Sequence, residues 1–396
     1  MPSMPPVRTL IWSGFVALAI AMGIGRFAFT PLLPMMQHDL GLGLAQGGWL
    51  AGANYLGYLA GAVTAAYLPW KASTLLRTGL ILVAASTALM GWTTTWSTWI
   101  TWRSIAGIAS AWVLVGAASL CLGRLAAAGA PHKAGVVFSG VGGGIALTGL
   151  LCLLFDLRGF TAAQAWVMLS VLATVGLIAT LPLWPVASPA LYPGGQSPRG
   201  DDSGHLRLIL CYGFFGFGYI LPATFLPAQA RELVDDPALF GLAWPLFGLA
   251  AALSTVACGA LLKRFTRRHL WLGAQLLMAV GVALPALIPG LTSIVIAALF
   301  VGGTFMVITM LGMQQAQASG GARARSLMAS LTAAFASGQL AGPVFFSLTH
   351  EHLGGTLEAA LYVAAAALVA GCLLLLKPFP ESQAGAGADV VNQSAR

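Results

Sequence analysis

Long runs of apolar residues, separated by short polar stretches, make up most of this chain. Most runs are about 20 residues or longer, the length at which an α-helix crosses the hydrocarbon core of a bilayer. A division at Pro289-Gly290 separates two runs whose combined length would overshoot any bilayer. The pattern therefore predicts twelve spans, at 9–36, 45–68, 74–92, 97–121, 134–155, 162–183, 207–229, 239–262, 270–289, 291–315, 326–348 and 356–376.

The composition excludes a soluble fold of this size. Of 396 residues, 58% are hydrophobic and only 8% are charged, whereas about a quarter of the residues in soluble domains carry a charge. A water-soluble fold has too little interior to hide this much apolar surface. The five cysteines lie in apolar runs without ligand-like spacing, so we interpret them as core residues and expect no metal site or other cofactor.

The positions of Lys and Arg predict how the spans are oriented. With the N-terminus in the cytoplasm, only Arg158 and Arg231 fall in outside segments, and Arg26 and Arg103 fall within spans. Such a bias is the positive-inside pattern of a multi-pass protein, here of the bacterial inner membrane with both termini cytoplasmic. The inside segments hold all the others: Arg8, Lys71, Arg77, Arg124, Lys133, Arg199, Arg207, Lys263, Arg264, Arg267, Arg268, Arg323, Arg325, Lys377 and Arg396.

A hydrophilic stretch rich in Pro and Gly divides the spans into six and six. Two parallel halves with a site between them near the bilayer midplane are typical of secondary transporters. The predicted organisation is an N-terminal six-helix bundle at 1–183, a cytoplasmic central loop at 184–206, a C-terminal six-helix bundle at 207–380 and a polar tail at 381–396.

An internal repeat supports the two halves. The first span contains Gly23-Ile-Gly25-Arg26 and then Leu33-Pro34, and the seventh contains Gly216-Phe-Gly218-Tyr219 and then Leu226-Pro227. Both parts of the motif recur after 193 residues, because Gly216 follows Gly23, and Pro227 follows Pro34, by that distance. Tyr219 is therefore the counterpart of Arg26 in the second half.

These motifs resemble the major facilitator superfamily. Gly259-Ala-Leu-Leu-Lys263-Arg264-Phe-Thr266-Arg267-Arg268 is similar to its cytoplasmic loop motif, with Lys263 in place of the acid and Thr266 in place of a glycine. The segments Gly23 to Pro34, Ala53 to Tyr58, Tyr212 to Pro227, Gly302 to Phe305 and Gly338 to Pro343 resemble the YbfB/YjiJ-like branch. The resemblance implies an all-α membrane protein with the major facilitator fold, twelve transmembrane helices in two pseudo-symmetric six-helix bundles, and a monomer.

Arg26 is the most informative single residue, because a charge near the middle of a span is costly unless it is paired or wetted. As a functional group, its guanidinium would bind the carboxylate or phosphate of a solute through two parallel hydrogen bonds. As a structural group, it would clamp backbone carbonyls or a hydroxyl of a neighbouring helix. Thr30 lies one turn along on the same face.

Arg103 admits two interpretations. It follows Trp96, Trp99 and Trp102, which indicate an interfacial belt, so its side chain could extend outward to the membrane surface. The resemblance to the superfamily's fourth-helix motif instead implies a role in substrate binding or proton coupling. Asp39 and Asp156 are possible outer-gate partners of Arg103, although both also fit solvated helix ends.

No Asp or Glu lies deep within any predicted span. This favours a neutral or anionic substrate and argues against a buried proton-carrying carboxylate. Further polar side chains that could converge on a cavity are Asn54, Tyr58, Tyr219, Trp244 and Gln339, each of which also fits a helix-to-helix hydrogen bond. The basic loop Lys263, Arg264, Arg267 and Arg268 is expected to set orientation and to help lock an inner gate.

The sequence thus predicts a secondary transporter of a small anionic or polar solute that works by alternating access and is coupled to a proton, without enzyme activity or nucleic-acid partners. A proton-driven efflux pump for amphiphilic compounds is the first alternative, since aromatic residues are plentiful. A transport-dead membrane sensor and a membrane enzyme are alternatives of other classes. Neither a soluble sensing domain nor a nucleophile or metal constellation is apparent.

Overall fold

The computed structural model describes residues 5–185, 202–233 and 237–379, and it is built from helices. An α-helix lies over each apolar run of the sequence. The long helical segments are α1 Val7–Leu40, α2 Leu44–Tyr67, α3 Ala72–Trp92, α4 Trp96–Ala127, α5 Ala134–Leu157, α6 Ala162–Thr180, α7 Asp202–Leu233, α8 Pro237–Leu261, α9 Arg267–Leu287, α10 Leu291–Gly320, α11 Ala324–Leu353 and α12 Leu357–Leu375.

Ten stretches of the described residues are long and apolar enough to cross a membrane. One of them, Leu291–His352, contains both α10 and α11, so these stretches correspond to eleven helices. The remaining helix, α2, carries Gln46, Asn54 and three tyrosines, which lower its apolar character. The fold is therefore all-helical with ten to eleven long apolar helices, and the count of twelve spans stays a prediction.

The boundaries differ from the predicted ones by at most six residues, chiefly at the start of α7 and at the ends of α4, α10 and α11. The predicted central loop ran to residue 206, but α7 already begins at Asp202. Most of that loop and the predicted polar tail lie outside the described residues. The predicted division at Pro289-Gly290 is present: α9 ends at Leu287, and Gly290 has the positive φ of 133° that precedes α10.

Two helix pairs join the first six helices to the last six. Helix α5 packs against α8 along its length, and α2 packs against α11. The α5–α8 contact depends on glycine, because a Cβ on Gly142 would lie 2.3 Å from the backbone nitrogen of Ala252. A Cβ on Gly248 would lie equally close, 2.3 Å, to the backbone nitrogen of Ala146. Small residues at such contacts let helix backbones approach closely.

The outer surface of the helices is apolar. Large hydrophobic side chains point outward along most helices, as expected where lipid rather than water surrounds the fold. Examples are Leu147 on α5, Val175 on α6, Leu253 on α8, Leu299 on α10 and Leu373 on α12.

Candidate functional site

The middle of α1 is wound as a π-helix over Ala19–Phe27. Its wider turn changes the usual backbone hydrogen-bond partners, and neighbouring helices supply donors to several of its carbonyls. The hydroxyl of Ser110 donates to the carbonyl of Ala21 at 2.7 Å, and that of Thr148 donates to Gly23 at 3.4 Å. π-Helical turns are frequent at functional sites, and this one ends beside Arg26.

Close packing holds the π-helical turn in place. A Cβ on Gly23 would lie 2.5 Å from the backbone carbon of Gly144 on α5, so only glycine fits there. On the other side, a Cβ on Gly25 would lie 2.8 Å from the hydroxyl oxygen of Ser110 on α4. The two glycines of the repeat motif therefore allow α1 to pack closely between α4 and α5. This packing fixes the direction of the Arg26 side chain.

Arg26 is buried, with 3% of its surface exposed. Its Nη2 donates to the amide oxygen of Gln339 on α11, across the boundary between the two sets of six helices. The guanidinium carbon lies 3.8 Å from the centre of the Tyr58 ring, a cation–π contact. Nε and Nη1 are buried and donate to no atom of the described chain. The charge thus keeps hydrogen-bonding capacity that the protein itself does not use.

Arg26 faces a small cavity between the two sets of helices. The space open to the centre of a water molecule is about 20 Å³, room for one or two waters. A larger solute therefore requires this region to open. The cavity is lined by α1, α2, α4, α7, α10 and α11, through Met22, Arg26, Phe27, Tyr58, Leu114, Tyr212, Tyr219, Phe305, Met306, Thr309, Met313, Thr332 and Phe335.

The side of the cavity formed by the later helices is aromatic. We call Tyr212, Tyr219, Phe305 and Phe335 the aromatic wall. The Tyr219 and Phe305 rings stack with centroids 5.4 Å apart and an interplanar angle of 24°. Phe335 contacts the rings of Tyr212 and Tyr219, each with centroids 5.9 Å away. A single cation on one side thus faces a continuous aromatic surface on the other.

Arg103 does not extend to the membrane surface. It is 3% exposed, and its Nη1 and Nη2 reach toward the carbonyl oxygens of Gly25 and Arg26, each at 3.4 Å. Its guanidinium carbon lies 4.6 Å from the centre of the Phe29 ring. The outward-extending interpretation is therefore not the arrangement found. Arg103 clamps the end of the π-helical turn, and it is not among the residues that line the cavity.

Besides Arg103, four predicted binding residues are not among those that line the cavity: Asn54, Thr30, Trp244 and Gln339. Asn54 donates to the carbonyl of Arg103 at 3.0 Å and so ties α2 to α4. Thr30 is exposed on the C-terminal part of α1. Trp244 stacks on Phe247 with centroids 5.4 Å apart, and its buried ring nitrogen has no partner within the described chain. Arg26, Tyr58 and Tyr219 line the cavity, and Gln339 reaches it through Arg26.

Asp39 is not a partner of Arg103. One carboxylate oxygen accepts from the backbone nitrogen of Ala162 at 2.6 Å, and the other lies 3.0 Å from Nδ1 of His38. Asp39 therefore caps the N-terminus of α6, where a negative charge is favoured by the helix dipole. Asp156 is exposed at the end of α5, which matches the solvated helix end that the sequence allowed.

In the part of the chain that the structure describes, two arginines of the predicted basic loop donate hydrogen bonds to residues of the later six helices. Arg267 donates to Gln315 at 2.8 Å, and Arg268 donates to the carbonyl of Leu376 at 3.1 Å. Lys263 and Arg264 are exposed. These bonds of Arg267 and Arg268 join helices of the later six, and the locking role of the loop stays a prediction.

Sequence reasoning missed the residues that do cross at the predicted cytoplasmic end. Arg325, at the start of α11, donates to the carbonyls of Leu68 and Trp70, which follow α2. Gln314 at the end of α10 donates to the carbonyl of Pro131 at 3.0 Å. The acceptors are backbone atoms, which no sequence motif marks. The excess of Lys and Arg near this end was visible, but not which of them binds across the boundary.

Acidic side chains are absent from the cavity. In the part of the chain that the structure describes, the lining contains no Asp or Glu, and the single ion pair is His38–Asp39 near the C-terminal end of α1. The same residues contain no group of three or more His, Cys, Asp or Glu side chains that could hold a metal ion. The electrostatic character of the site therefore comes from Arg26.

Comparisons with known proteins agree with this architecture. A family model described as "Uncharacterised MFS-type transporter YbfB" matches residues 18–376. The structure is similar to that of the human organic anion transporter MFSD10 (TETRAN), with a TM-score of 0.76 and 17% identity over 94% of this chain and 100% of that one. It is also similar to the Escherichia coli fucose:proton symporter FucP, with a TM-score of 0.66 and 15% identity over 92% of this chain and 97% of that one.

Proposed function

The chain belongs to the YbfB-type family of major facilitator transporters, and from that premise we propose that it is a secondary transporter of a small organic anion. Arg26 is the group that binds the anion. The observation that carries this proposal is the state of its guanidinium: buried at a cavity, with two nitrogens unpartnered and no acid in the described lining. A solute carboxylate would supply the missing counter-charge.

The physical argument concerns the cost of a buried charge. An isolated cation in a medium of low dielectric constant is strongly disfavoured unless it is paired. Gln339 and the Tyr58 ring give partial compensation, since a neutral amide oxygen and a ring face carry no net charge. An anion on Arg26 gains charge-assisted hydrogen bonds, which are about twice as strong as neutral ones. A cationic solute would add repulsion instead.

Alternating access follows from the same architecture. We propose twelve spans in two six-helix bundles with both termini cytoplasmic, which rock about the α2–α11 and α5–α8 contacts. Arg325 and Gln314 join the bundles at the cytoplasmic end. In this conformation that end is held closed, and breaking these bonds would release the solute inward.

Arg103 supports this function by holding the backbone of α1 in place and does not itself contact the solute. Its hydrogen bonds to the carbonyls of Gly25 and Arg26 hold the backbone that carries the anion-binding side chain. Coupling to a proton remains part of the proposal. Because the described spans contain no deeply placed carboxylate, the proton would bind at a group outside the spans and not on the solute, which binds Arg26 as the anion.

The test uses the purified full-length protein and a set of carboxylates, sugars and amines. A compound that binds the folded protein raises its apparent unfolding temperature. We expect carboxylates to raise the unfolding temperature of the wild type and to leave that of Arg26→Ala unchanged. We also expect the stabilising carboxylate to enter proteoliposomes that contain the wild type. Arg158→Ala, which removes an exposed cation, is the matched control and should respond like the wild type.

Export of amphiphilic compounds is the second candidate, favoured by the aromatic wall. It predicts that neutral or cationic amphiphiles stabilise the protein and that Arg26→Ala responds as the wild type does. That result would make Arg26 structural and would remove the anion proposal.

A further inference from the structure

We infer that the solute is a monoanion with a flat apolar body, such as an aromatic monocarboxylate. The inference rests on the proposed function, since it takes Arg26 as the anion site. It adds the charge, hydrogen bonding and shape that the rest of the cavity lining favours in the solute.

The first step concerns the number of charges. Arg26 is the one cation among the described residues that line the cavity. The second buried cation, Arg103, points its Nη atoms at the carbonyls of Gly25 and Arg26 and does not line the cavity. A second carboxylate on the solute would therefore face the aromatic wall without a partner. Burying an unpaired charge is far more costly than burying a neutral group, so a monoanion fits and a dianion does not.

The second step concerns hydrogen bonds along the lining. The Thr309 hydroxyl already donates to the carbonyl of Phe305 at 2.8 Å, and that of Thr332 donates to Met328 at 2.8 Å. The Tyr212 hydroxyl donates to the carbonyl of Thr309 at 3.4 Å. A sugar carries many hydroxyls that each need a partner when buried. Three of the five lining hydroxyls therefore donate to the backbone, and those of Tyr58 and Tyr219 are outside these bonds. Two hydroxyls are too few partners for a polyol, which would leave buried groups unsatisfied.

The third step concerns shape. Four rings of the later helices form one continuous series: Trp244 stacks on Phe247 at 5.4 Å, Phe247 on Phe305 at 5.3 Å, and Phe305 on Tyr219 at 5.4 Å. The interplanar angles are 5°, 21° and 24°. A planar solute can join such a series through offset stacking, which adds to the burial of its apolar area.

The fourth step concerns how the cavity enlarges. Its present size admits one or two waters, so side chains must move to admit a ring. Three of the lining side chains are methionines: Met22, Met306 and Met313. Unbranched and polarisable, methionine repacks easily and makes favourable contacts with aromatic rings. The anionic head of the solute would replace the Gln339 oxygen as the acceptor of Nη2 of Arg26. The ring of the solute would move the methionine side chains aside and pack against the aromatic wall.

The experiment measures binding of benzoate, acetate, succinate, L-fucose and benzyl alcohol to the full-length protein by thermal stabilisation and by calorimetry. Benzoate and acetate share the monoanionic head, and benzyl alcohol keeps the ring without the charge. We expect benzoate to bind at least about tenfold more tightly than acetate, because the ring buries several carbons. Succinate, fucose and benzyl alcohol should bind more weakly than benzoate by a similar or larger factor.

Variants of the aromatic wall measure how much stacking contributes to the binding of benzoate. Phe305→Leu removes a stacking partner at similar volume and should weaken benzoate about three- to tenfold while leaving acetate unchanged. Phe345→Leu is the matched control on α11, because Phe345 contacts Phe217 away from the cavity, with centroids 5.7 Å apart. Phe345→Leu should bind benzoate as the wild type does.

The outcomes separate the two proposals. If acetate or succinate binds as tightly as benzoate, and Arg26→Ala abolishes both, the anion transporter stands and the aromatic body is overturned. If benzyl alcohol or fucose binds best and Arg26→Ala makes no difference, both proposals are overturned. An equal response of Phe305→Leu and wild type to benzoate, with both proteins folded, also overturns the aromatic body.

Discussion

The surroundings of Arg26 and Arg103 differ, although both arginines lie in the apolar interior and each is 3% exposed. Arg103 directs two nitrogens at backbone carbonyls of α1, leaves only Nε without a partner in the described chain, and does not line the cavity. Arg26 uses one nitrogen on a neutral amide and leaves two free beside a cavity. Burial alone therefore does not identify a binding residue. Hydrogen-bonding capacity that remains after folding at the lining of a cavity is the more specific indication.

The largest expected effect comes from Arg26→Gln. We expect a carboxylate that stabilises the wild type to bind this variant about 100-fold more weakly, since charge-assisted hydrogen bonds contribute about 1.5–3 kcal/mol each. The apparent unfolding temperature without solute should stay the same or rise, because an unpaired buried charge has been removed. Calorimetry and thermal unfolding check the two parts. Unchanged carboxylate affinity would contradict the assignment of Arg26.

Arg103→Gln should show the opposite pattern. It removes the donors to the carbonyls of Gly25 and Arg26, and an unsatisfied buried carbonyl costs about 1–3 kcal/mol. We expect a lower apparent unfolding temperature, with carboxylate binding retained and weakened less than about tenfold, because the glycine contacts of α1 still hold Arg26. Arg124→Gln, at the end of α4, is a control for removing a charge from the same helix. If Arg103→Gln abolished binding without loss of stability, Arg103 would be a ligand-binding residue after all.

Arg325→Gln tests the proposed cytoplasmic closure, in which a buried arginine joins the two proposed bundles. Loss of its bonds to the carbonyls of Leu68 and Trp70 should shift the population toward the inward-open state about tenfold, which corresponds to about 1.4 kcal/mol. Distances between spin labels attached at positions 71 and 264 report this opening. Arg323→Gln, an exposed neighbour, should leave the distance distribution unchanged. An identical distribution for both variants would assign the closure to Gln314 and the α5–α8 contact.

The smallest expected effect concerns Gln339. Its amide oxygen competes with a solute carboxylate for Nη2 of Arg26, and removing this competing acceptor is expected to change the free energy of binding by about 1 kcal/mol. Gln339→Ala should therefore bind the carboxylate roughly fivefold more tightly in calorimetry. Gln339→Glu should bind it far more weakly than wild type, because an internal carboxylate then neutralises Arg26. Weaker binding by Gln339→Ala would show that Gln339 instead helps to hold the solute.

Much of the fold could be predicted from the sequence, because a membrane imposes a length and an apolar character on every span. The helix boundaries agree with the predicted runs within a few residues, apart from α7 and the ends of a few helices such as α1, α4, α10 and α11. The resemblance to the major facilitator superfamily is confirmed by the family match over residues 18–376. The two-bundle division and the individual binding roles stay predictions.

The candidate site was predictable only in part. Arg26 stood out because a charge within a span is rare, and the repeat of 193 residues pointed to Tyr219, which lines the same cavity. Asn54 and Thr30 fitted the same pattern of polar spacing, yet one binds a backbone carbonyl and the other is exposed. Periodicity gives the face of a helix, but it does not say whether that face meets a cavity, a neighbouring backbone or lipid.

The sequence by itself determined that this chain forms long apolar helices with a buried arginine and a duplicated motif, since hydrophobic burial and backbone hydrogen bonding act locally in a membrane. Only the tertiary structure decided what surrounds that arginine. Phe305, Phe335 and Gln339 lie about 280 to 313 residues from Arg26 along the chain, and they reach the cavity or the guanidinium through the packing of α10 and α11 against the first helices. Interactions of that kind depend on how helix surfaces fit together in three dimensions, which the spacing of residues along one helix does not specify.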